Sequence, residues 1–231
     1  MALAVETVHG VVPCILETPN DEHGDAVAVL LAHGAGAGQQ HPWMVGMRER
    51  LVARGVPTMT FEYAYTAAGR KAPDRMPKLL DVHEAVATRL AEDFPAVVLA
   101  GKSMGGRVGG HLVADGRFPA FGLAYLGYPL VALGASEPRS TVHIETIEQP
   151  QLFVSGDRDR LGPIDMVTRV AESVPQGTMV VIEGGDHSFT PLRSSGRTLE
   201  DALDVAADAL VGWMVDIDGG LGGLAQAGGA T

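Results

Sequence analysis

The stretch Gly101-Lys102-Ser103-Met104-Gly105-Gly106 constrains this chain more than any other. The apolar, β-branched run Ala96-Val97-Val98-Leu99-Ala100 leads into it and reads as a buried strand. Beyond it, Met104, Val108 and Leu112 recur at helical spacing. A strand must therefore turn into a helix within a few residues, with a serine at the apex and a glycine two residues to either side. Side chains at 101 and 105 would collide where the incoming strand passes the outgoing helix, so only small residues fit. Gly105, Gly106, Gly109 and Gly110 would each cost ~1 kcal/mol relative to alanine in a free helix. Four in one helix make sense where close backbone packing compensates. The pattern Gly-x-Ser-x-Gly alone is weak; the strand before it and the helix after it make Ser103 a candidate nucleophile. A glycine-rich strand–helix turn of some other α/β fold is the bland alternative.

The rest of the chain repeats the strand–helix alternation. Residues 5 to 18 read as an antiparallel pair with Gly10 near its turn, and Asn20 to Asp25 as a polar loop. Ala26–Ala32 is a buried strand that ends in His33-Gly34-Ala35-Gly36-Ala37-Gly38. Pro42 opens a helix with Met44, Met47 and Leu51 inward, and Gly55 stops it. Val56–Tyr63 is the next strand, followed by a loop from Ala67 to Pro77 and a helix with Leu79, Val82, Val86 and Leu90 on one face. After the Ser103 helix come strands at Phe121–Leu126, Gln151–Val154 and Met179–Ile182, a helix opened by Pro163, and a last helix from about Thr198 to Met214. A mostly parallel sheet covered by helices on both faces follows, and such sheets bind ligands at the carboxyl ends of their strands. The unusual loops all lie there. The expected organisation is one domain over residues 1–215 and a flexible Gly/Ala-rich tail over 216–231. The short connection between the strands ending near 126 and beginning near 151 leaves no room for a large lid.

Composition removes several function classes. The chain has 231 residues, enough for one α/β domain with a sizeable core. Its net charge of −11 argues against nucleic acid or an anionic membrane as a partner. The cluster Arg70, Lys71, Arg75 and Lys78 reads as solvated loop surface. Cys14 is the only cysteine, so no intrachain disulfide can form. The first residues lack the basic and apolar regions of a secretory signal, and no apolar run is long enough to span a bilayer. A cytoplasmic location is the expectation. Oligomeric state is not legible.

A serine hydroxyl needs a base to take its proton, and the base needs an acid to orient it. After Ser103 the sequence supplies Asp157 and Asp159 at one strand end, then His187 at another. His9, His23 and His83 precede the serine; His111 sits on its helix and His143 in a loop. Either aspartate can serve: Asp159 lies deeper in its turn, and Asp157 can instead cap backbone N–H groups. Asp186, beside His187, points away from it into solvent. Two backbone N–H groups must meet the oxyanion. Met104 supplies one at a helix N-terminus, and Ala35 the other, with Gly36 as the alternative. His33 shapes that loop. No metal or organic cofactor is required. Lys102 either puts positive charge near the site or is a structural residue paired with a carboxylate such as Glu62; the structural role is preferred. Arg158 and Arg160 read as solvated. Trp43, Tyr63, Tyr65, Tyr128 and Phe189 fall in loops at the site's edge, where they either line an acyl pocket or pack.

These residues carry a resemblance. Strand, turn and helix around Ser103 resemble the nucleophile elbow of an α/β-hydrolase, whose chain order is serine, acid, histidine. The set from His33 to Gly38, Phe61-Glu62-Tyr63, Gly69-Arg70, Asp74-Arg75-Met76, Gly101 to Arg107, Gly127-Tyr128-Pro129-Leu130 and Gly156-Asp157-Arg158-Asp159 is similar to one family. It is the small bacterial α/β-hydrolases of the dienelactone-hydrolase-like kind, themselves similar to the testis-expressed and non-specific-lethal-complex hydrolase-like proteins of animals. The resemblance covers roughly residues 25 to 215. It implies an α/β-hydrolase fold, a triad of Ser103, Asp159 and His187, and a small ester, thioester or lactone as substrate. Dienelactone hydrolases proper use a cysteine nucleophile; this chain has Ser103.

Two other readings compete. Gly34-Ala35-Gly36 after a strand, with Glu62 ending the next, resembles half of a dinucleotide-binding fold, but the third glycine falls at 39, which is Gln39. A non-catalytic hydrolase-fold interaction module is the second; the presence of all three triad members argues against it.

Overall fold

A computed structural model describes residues 1–19, 26–132, 134–135 and 137–222, and the statements that follow concern these. The loop expected over Asn20 to Asp25 lies outside them. In chain order the elements are β1 (Ala2–Thr7), β2 (Gly10–Glu17), β3 (Val27–Ala32), α1 (Pro42–Ala53), β4 (Thr58–Phe61), α2 (Ala64–Ala67), α3 (Met76–Asp93) and β5 (Ala96–Lys102). There follow α4 (Met104–Ala114), β6 (Gly122–Leu126), α5 (Val142–Glu145), β7 (Gln151–Gly156), α6 (Ile164–Ser173), β8 (Gly177–Ile182) and α7 (Leu199–Gly222). Eight strands among the described residues form one sheet in the order β1-β2-β4-β3-β5-β6-β7-β8. β2 pairs antiparallel with β1 and β4, and every other pairing is parallel.

Side-chain alternation along the strands builds two cores. In β3, Ala28, Leu30 and Ala32 face the layer of α3, α4 and α6, where Val82, Val86, Leu112 and Val167 are fully buried. Val29 and Leu31 face α1 and α7, against Met47, Leu51, Leu203 and Leu210. β5 repeats this, with Val97 and Leu99 on the first side and Val98 and Ala100 on the second. A strand buried on both faces must be apolar throughout, which is why these segments read as continuous runs.

The sheet order disposes of the dinucleotide reading. β3 and β5 are neighbours with six residues in register, from Val27 opposite Ala96 to Ala32 opposite Gly101. The loop after Ala32 and the turn at Ser103 therefore emerge side by side.

Two local expectations are corrected, the end of the last helix and the start of β1. The last helix runs to Gly222, past both the stop expected at Met214 and the tail expected from 216, and residues 223–231 lie outside the described part. That helix is tied to α1 by ion pairs: Arg50 holds Glu200 and Asp204, and Arg54 holds Asp204 and Asp208. α2 lies between β4 and the loop expected from Ala67 to Pro77, and α5 is the one helix between β6 and β7, so no large lid covers the strand ends, as expected. β1 starts three residues earlier than the alternation indicated, its outer face being exposed.

Candidate active site

Ser103 sits between β5 and α4 with φ +52° and ψ −111°, a conformation strained for a residue carrying a Cβ. Its N–H donates to the carbonyl of Leu126 at 3.1 Å, which fixes the turn against β6. The flanking glycines are required by close approach: a Cβ on Gly101 would lie 2.1 Å from the Gly106 nitrogen, and one on Gly105 2.5 Å from the Ala32 oxygen. Strain at the serine is held by backbone packed on backbone.

The Ser103 hydroxyl meets His187 Nε2 at 2.9 Å, and Nδ1 of the same ring meets Asp159 Oδ2 at 2.8 Å. With a carboxylate facing Nδ1, that nitrogen carries the proton and donates it, leaving Nε2 to accept from the serine. Asp159 is buried, with 3% of its surface exposed, and its other oxygen accepts the Leu161 N–H at 2.7 Å. Burial alone would raise its carboxyl. The hydrogen bond and charge of His187, with the backbone N–H groups of Leu161 and Gly162, outweigh that and hold it below the ordinary carboxylate value. Asp157 stands apart and accepts the Gly184 N–H at 2.9 Å, the capping role offered for it from sequence. Asp186 is not simply solvated: one oxygen accepts the N–H groups of Ser188 and Thr190, which curls the histidine loop.

That loop is pinned from two further sides. Lys102, the residue before the nucleophile, donates from Nζ to the His187 carbonyl at 2.6 Å. Trp43 Nε1 donates to the Ser188 carbonyl at 3.1 Å. The ammonium also lies 5.8 Å from the Trp43 ring centroid and 6.0 Å from that of Phe189. The structural role expected for Lys102 holds, but its partner is the histidine's own backbone and not Glu62. Glu62 accepts the Gln39 N–H at 2.9 Å and approaches His33 Nε2 to 3.5 Å, under the loop that carries Ala35. His33 is fully buried, with Nδ1–H donating to the Gly34 carbonyl at 2.8 Å and Nε2 accepting from the Tyr63 N–H at 3.3 Å. Burial holds it below the ordinary histidine value, so it is a neutral brace for the loop.

Burial pushes Lys102 down to about 8, against the pull of Asp159 and Asp186. The folded chain holds that proton less tightly than the unfolded chain, so the burial penalty on stability is present below about pH 8. It is relieved as pH rises toward the ordinary lysine value of 10.5. The charged clamp is lost over the same rise. Lys102→Met is expected to lower kcat about 10-fold with little change in KM, because the ammonium is spent on the His187 carbonyl and its loss loosens the histidine loop. It should also remove the fall in wild-type rate centred near pH 8. Steady-state kinetics from pH 6 to 10 on both proteins checks this, and an unchanged alkaline limb would refute it.

Ser103, His187, Ala35 and Met104 border one cavity of about 600 Å³, open to solvent and sized for a small organic molecule. Met104 is the first residue of α4, so its N–H has no intrahelical acceptor and points to the helix's positive end. Of the five aromatic residues at the strand ends, Trp43 reaches the cavity wall. Tyr63, Tyr65, Tyr128 and Phe189 are no more than 1% exposed and do not line it, so they pack. Among the cavity residues to which sequence reading gave no role are two charged ones, Arg107 and Arg139. Arg107 could have been found, since it lies one helical turn beyond Ser103; Arg139 reaches the cavity through the β6–β7 connection, which no periodicity marks. Among the described residues no group of three or more His, Cys, Asp or Glu side chains is placed to hold a metal ion, and no helix is long and apolar enough to cross a membrane.

A strained serine after a parallel strand, in reach of a histidine and a buried aspartate on later strand ends, defines an α/β-hydrolase site. The chain belongs to that family: residues 25–215 match the model described as an alpha/beta hydrolase domain. Solved structures share the architecture. Est1E from Butyrivibrio proteoclasticus superposes with a TM-score of 0.74 at 16% identity, over 94% of this chain and 98% of that one. A serine hydrolase without a lid from Xanthomonas campestris gives 0.70 at 20% identity, over 92% and 94%. A dienelactone hydrolase from Anabaena variabilis gives 0.69 at 18%, over 91% and 96%. The protein is thus a small lidless α/β-hydrolase, similar in fold to esterases and to dienelactone hydrolase.

Proposed function

We propose that this α/β-hydrolase cleaves a small carboxylic ester, thioester or lactone through an acyl-enzyme on Ser103. The observation that carries the reading is the hydrogen-bonded line from Asp159 through His187 to Ser103, ending at a cavity open to solvent. Ser103 Oγ attacks the substrate carbonyl carbon while His187 Nε2 takes its proton. Asp159 keeps Nδ1 protonated and stabilises the imidazolium that forms. The N–H groups of Ala35 and Met104 face the oxyanion; removing one such donor costs about 100-fold to 1,000-fold in other enzymes. The tetrahedral adduct collapses, the carbon–oxygen or carbon–sulfur bond breaks, and the histidine's proton leaves with the alcohol or thiol. Water, deprotonated by His187, then releases the acid and restores Ser103. The reading needs no cofactor, and its partner is a small-molecule substrate. A non-catalytic hydrolase-fold interaction module is the alternative that the test separates.

Labelling with a fluorophosphonate, read by intact mass and peptide mapping, tests this without a guess at substrate. The expected result is one adduct, on Ser103, absent in Ser103→Ala and slowed at least about 1,000-fold in His187→Ala. No adduct on folded protein would overturn the reading.

A further inference from the structure

The chain is acidic, and its arginines are largely taken up by carboxylates: Arg48 pairs with Glu17, Arg50 with Glu200, Arg54 with Asp208 and Arg117 with Asp81. Arg107 and Arg139, which share a wall of the Ser103 cavity, have no carboxylate within ion-pair distance among the described residues. Asp115 borders a neighbouring cleft with both arginines and Glu145 one with Arg139, but neither carboxylate is within ion-pair distance of them. Behind Arg107, His111 and His143 stack with ring centroids 3.7 Å apart. Burial first, and then the Arg107 guanidinium among their neighbours, holds both below the ordinary histidine value. The Tyr128 hydroxyl, which shares a hydrogen bond with His143 Nε2 at 3.2 Å and accepts one from the Arg107 guanidinium, is pushed up to about 12 by burial and stays neutral. Arg107 Nε is shielded from solvent and has no partner. The Arg139 guanidinium is held below the ordinary arginine value by partial burial and by the charge of Arg107 beside it. Two like charges side by side, one with a buried donor that no protein group accepts, are unfavourable without an anion between them.

We propose that Arg107 and Arg139 form a carboxylate-binding subsite, so that the ester this enzyme prefers carries an anionic carboxylate a few bonds from the scissile carbonyl. The spacing suits that. Arg107 follows Ser103 by one helical turn, its N–H donating to the Ser103 carbonyl at 3.2 Å, and a turn advances about 5.4 Å along the axis. A carboxylate there meets planar guanidinium donors that recognise it in a paired, charge-assisted geometry. It also removes the repulsion between the arginines, a gain that a neutral ester cannot supply. Arg139, at the exposed rim, draws the anion in, and Arg107 holds it inside.

The inference rests on the Ser103 hydrolase reading, and the test keeps the two apart. Two matched ester pairs would be compared, each rate divided by its uncatalysed rate. Mono-4-nitrophenyl adipate against 4-nitrophenyl hexanoate puts the charge on the acyl part. 4-Acetoxybenzoate against 4-tolyl acetate puts it on the leaving group. The expected kcat/KM ratio of anionic to neutral ester is about 10 or more in one pair, mostly through KM. It should fall about 10-fold in Arg139→Gln and below one in Arg139→Glu. Arg107→Gln should act in the same direction; should it not fold, the rim variants decide. Ratios near one in both pairs, or a ratio unmoved by Arg139→Glu, would overturn the subsite while fluorophosphonate labelling of Ser103 still stood. Loss of labelling would strike the hydrolase reading instead.

Discussion

Asp159→Asn is expected to lower kcat by about 10,000-fold, the largest activity loss in this chain short of removing Ser103 or His187. An asparagine fits the same space, so the fold survives and the loss is chemical. Its amide can present an N–H to His187 Nδ1, which then has to accept, and the ring's proton moves to Nε2. That nitrogen stands 2.9 Å from Ser103 Oγ and in this tautomer can no longer take the serine's proton. An uncharged partner also leaves the imidazolium of the transition state unsupported in a site where Asp159 is 3% exposed. A stability signature accompanies the kinetic one. Because the folded Asp159 carboxyl lies below its ordinary value of 3.8, its stabilisation is present above that value and lost as pH falls through the folded one. Thermal melts should show the gap between wild type and Asp159→Asn closing as pH drops below about 4. A variant that kept even a tenth of wild-type kcat would remove Asp159 from the mechanism and return attention to Asp157.

Gly101→Ala is expected to be strongly destabilising for a single methyl. The added Cβ would lie 2.1 Å from the Gly106 nitrogen and 2.3 Å from the Gly105 carbonyl carbon. Both are backbone atoms, so no side-chain rotation relieves the clash, and β5 and α4 must move apart. A cost above about 4 kcal/mol is expected, in the range reserved for broken packing. For a chain of this size that is a fall of more than about 8 °C in Tm, with loss of Ser103 labelling because the turn is no longer held. Gly212→Ala is the matched control. Gly212 lies in α7, and nothing stands within 4 Å of its added Cβ, so a gain of up to about 1 kcal/mol is expected from helix propensity alone. Differential scanning calorimetry of the three proteins reads both effects. If Gly101→Ala melted within a few degrees of wild type, the close-packed account of the turn would be wrong.

How much of this could be read from the chain alone depended on the range of the interaction. The strand at Ala96 to Lys102, the turn at Ser103 and the helix behind it are local: a β-branched run, glycines where backbones meet, and helical spacing of apolar residues. The order along the chain sufficed to nominate Ser103, one of Asp157 and Asp159, and His187, because each follows a recognisable strand. Ala35 and Met104 were nominated the same way, and both border the cavity. Where the outcome depended on neighbours distant in sequence, reading failed. Lys102 finds the His187 carbonyl 85 positions away, which no local rule connects to it. Tyr63, Tyr65, Tyr128 and Phe189 are aromatic at strand ends whether they line a pocket or fill a core, and only packing distinguishes the two. The last helix outran its expected stop because Asp216 to Gly222 carry no breaker stronger than glycine, and helix already formed propagates.

The sequence by itself determined the alternation of strands and helices, the strained serine turn and the chemistry available at the strand ends. These follow from side-chain period and backbone sterics, which act within a few residues. The tertiary structure alone decided which side chains meet: Asp159 and not Asp157 at the histidine, Lys102 and Trp43 as clamps on its loop, and Arg107 beside Arg139 without a carboxylate. Those choices rest on the parallel order of β3, β5, β6, β7 and β8, which brings loops from distant parts of the chain to one edge of the sheet.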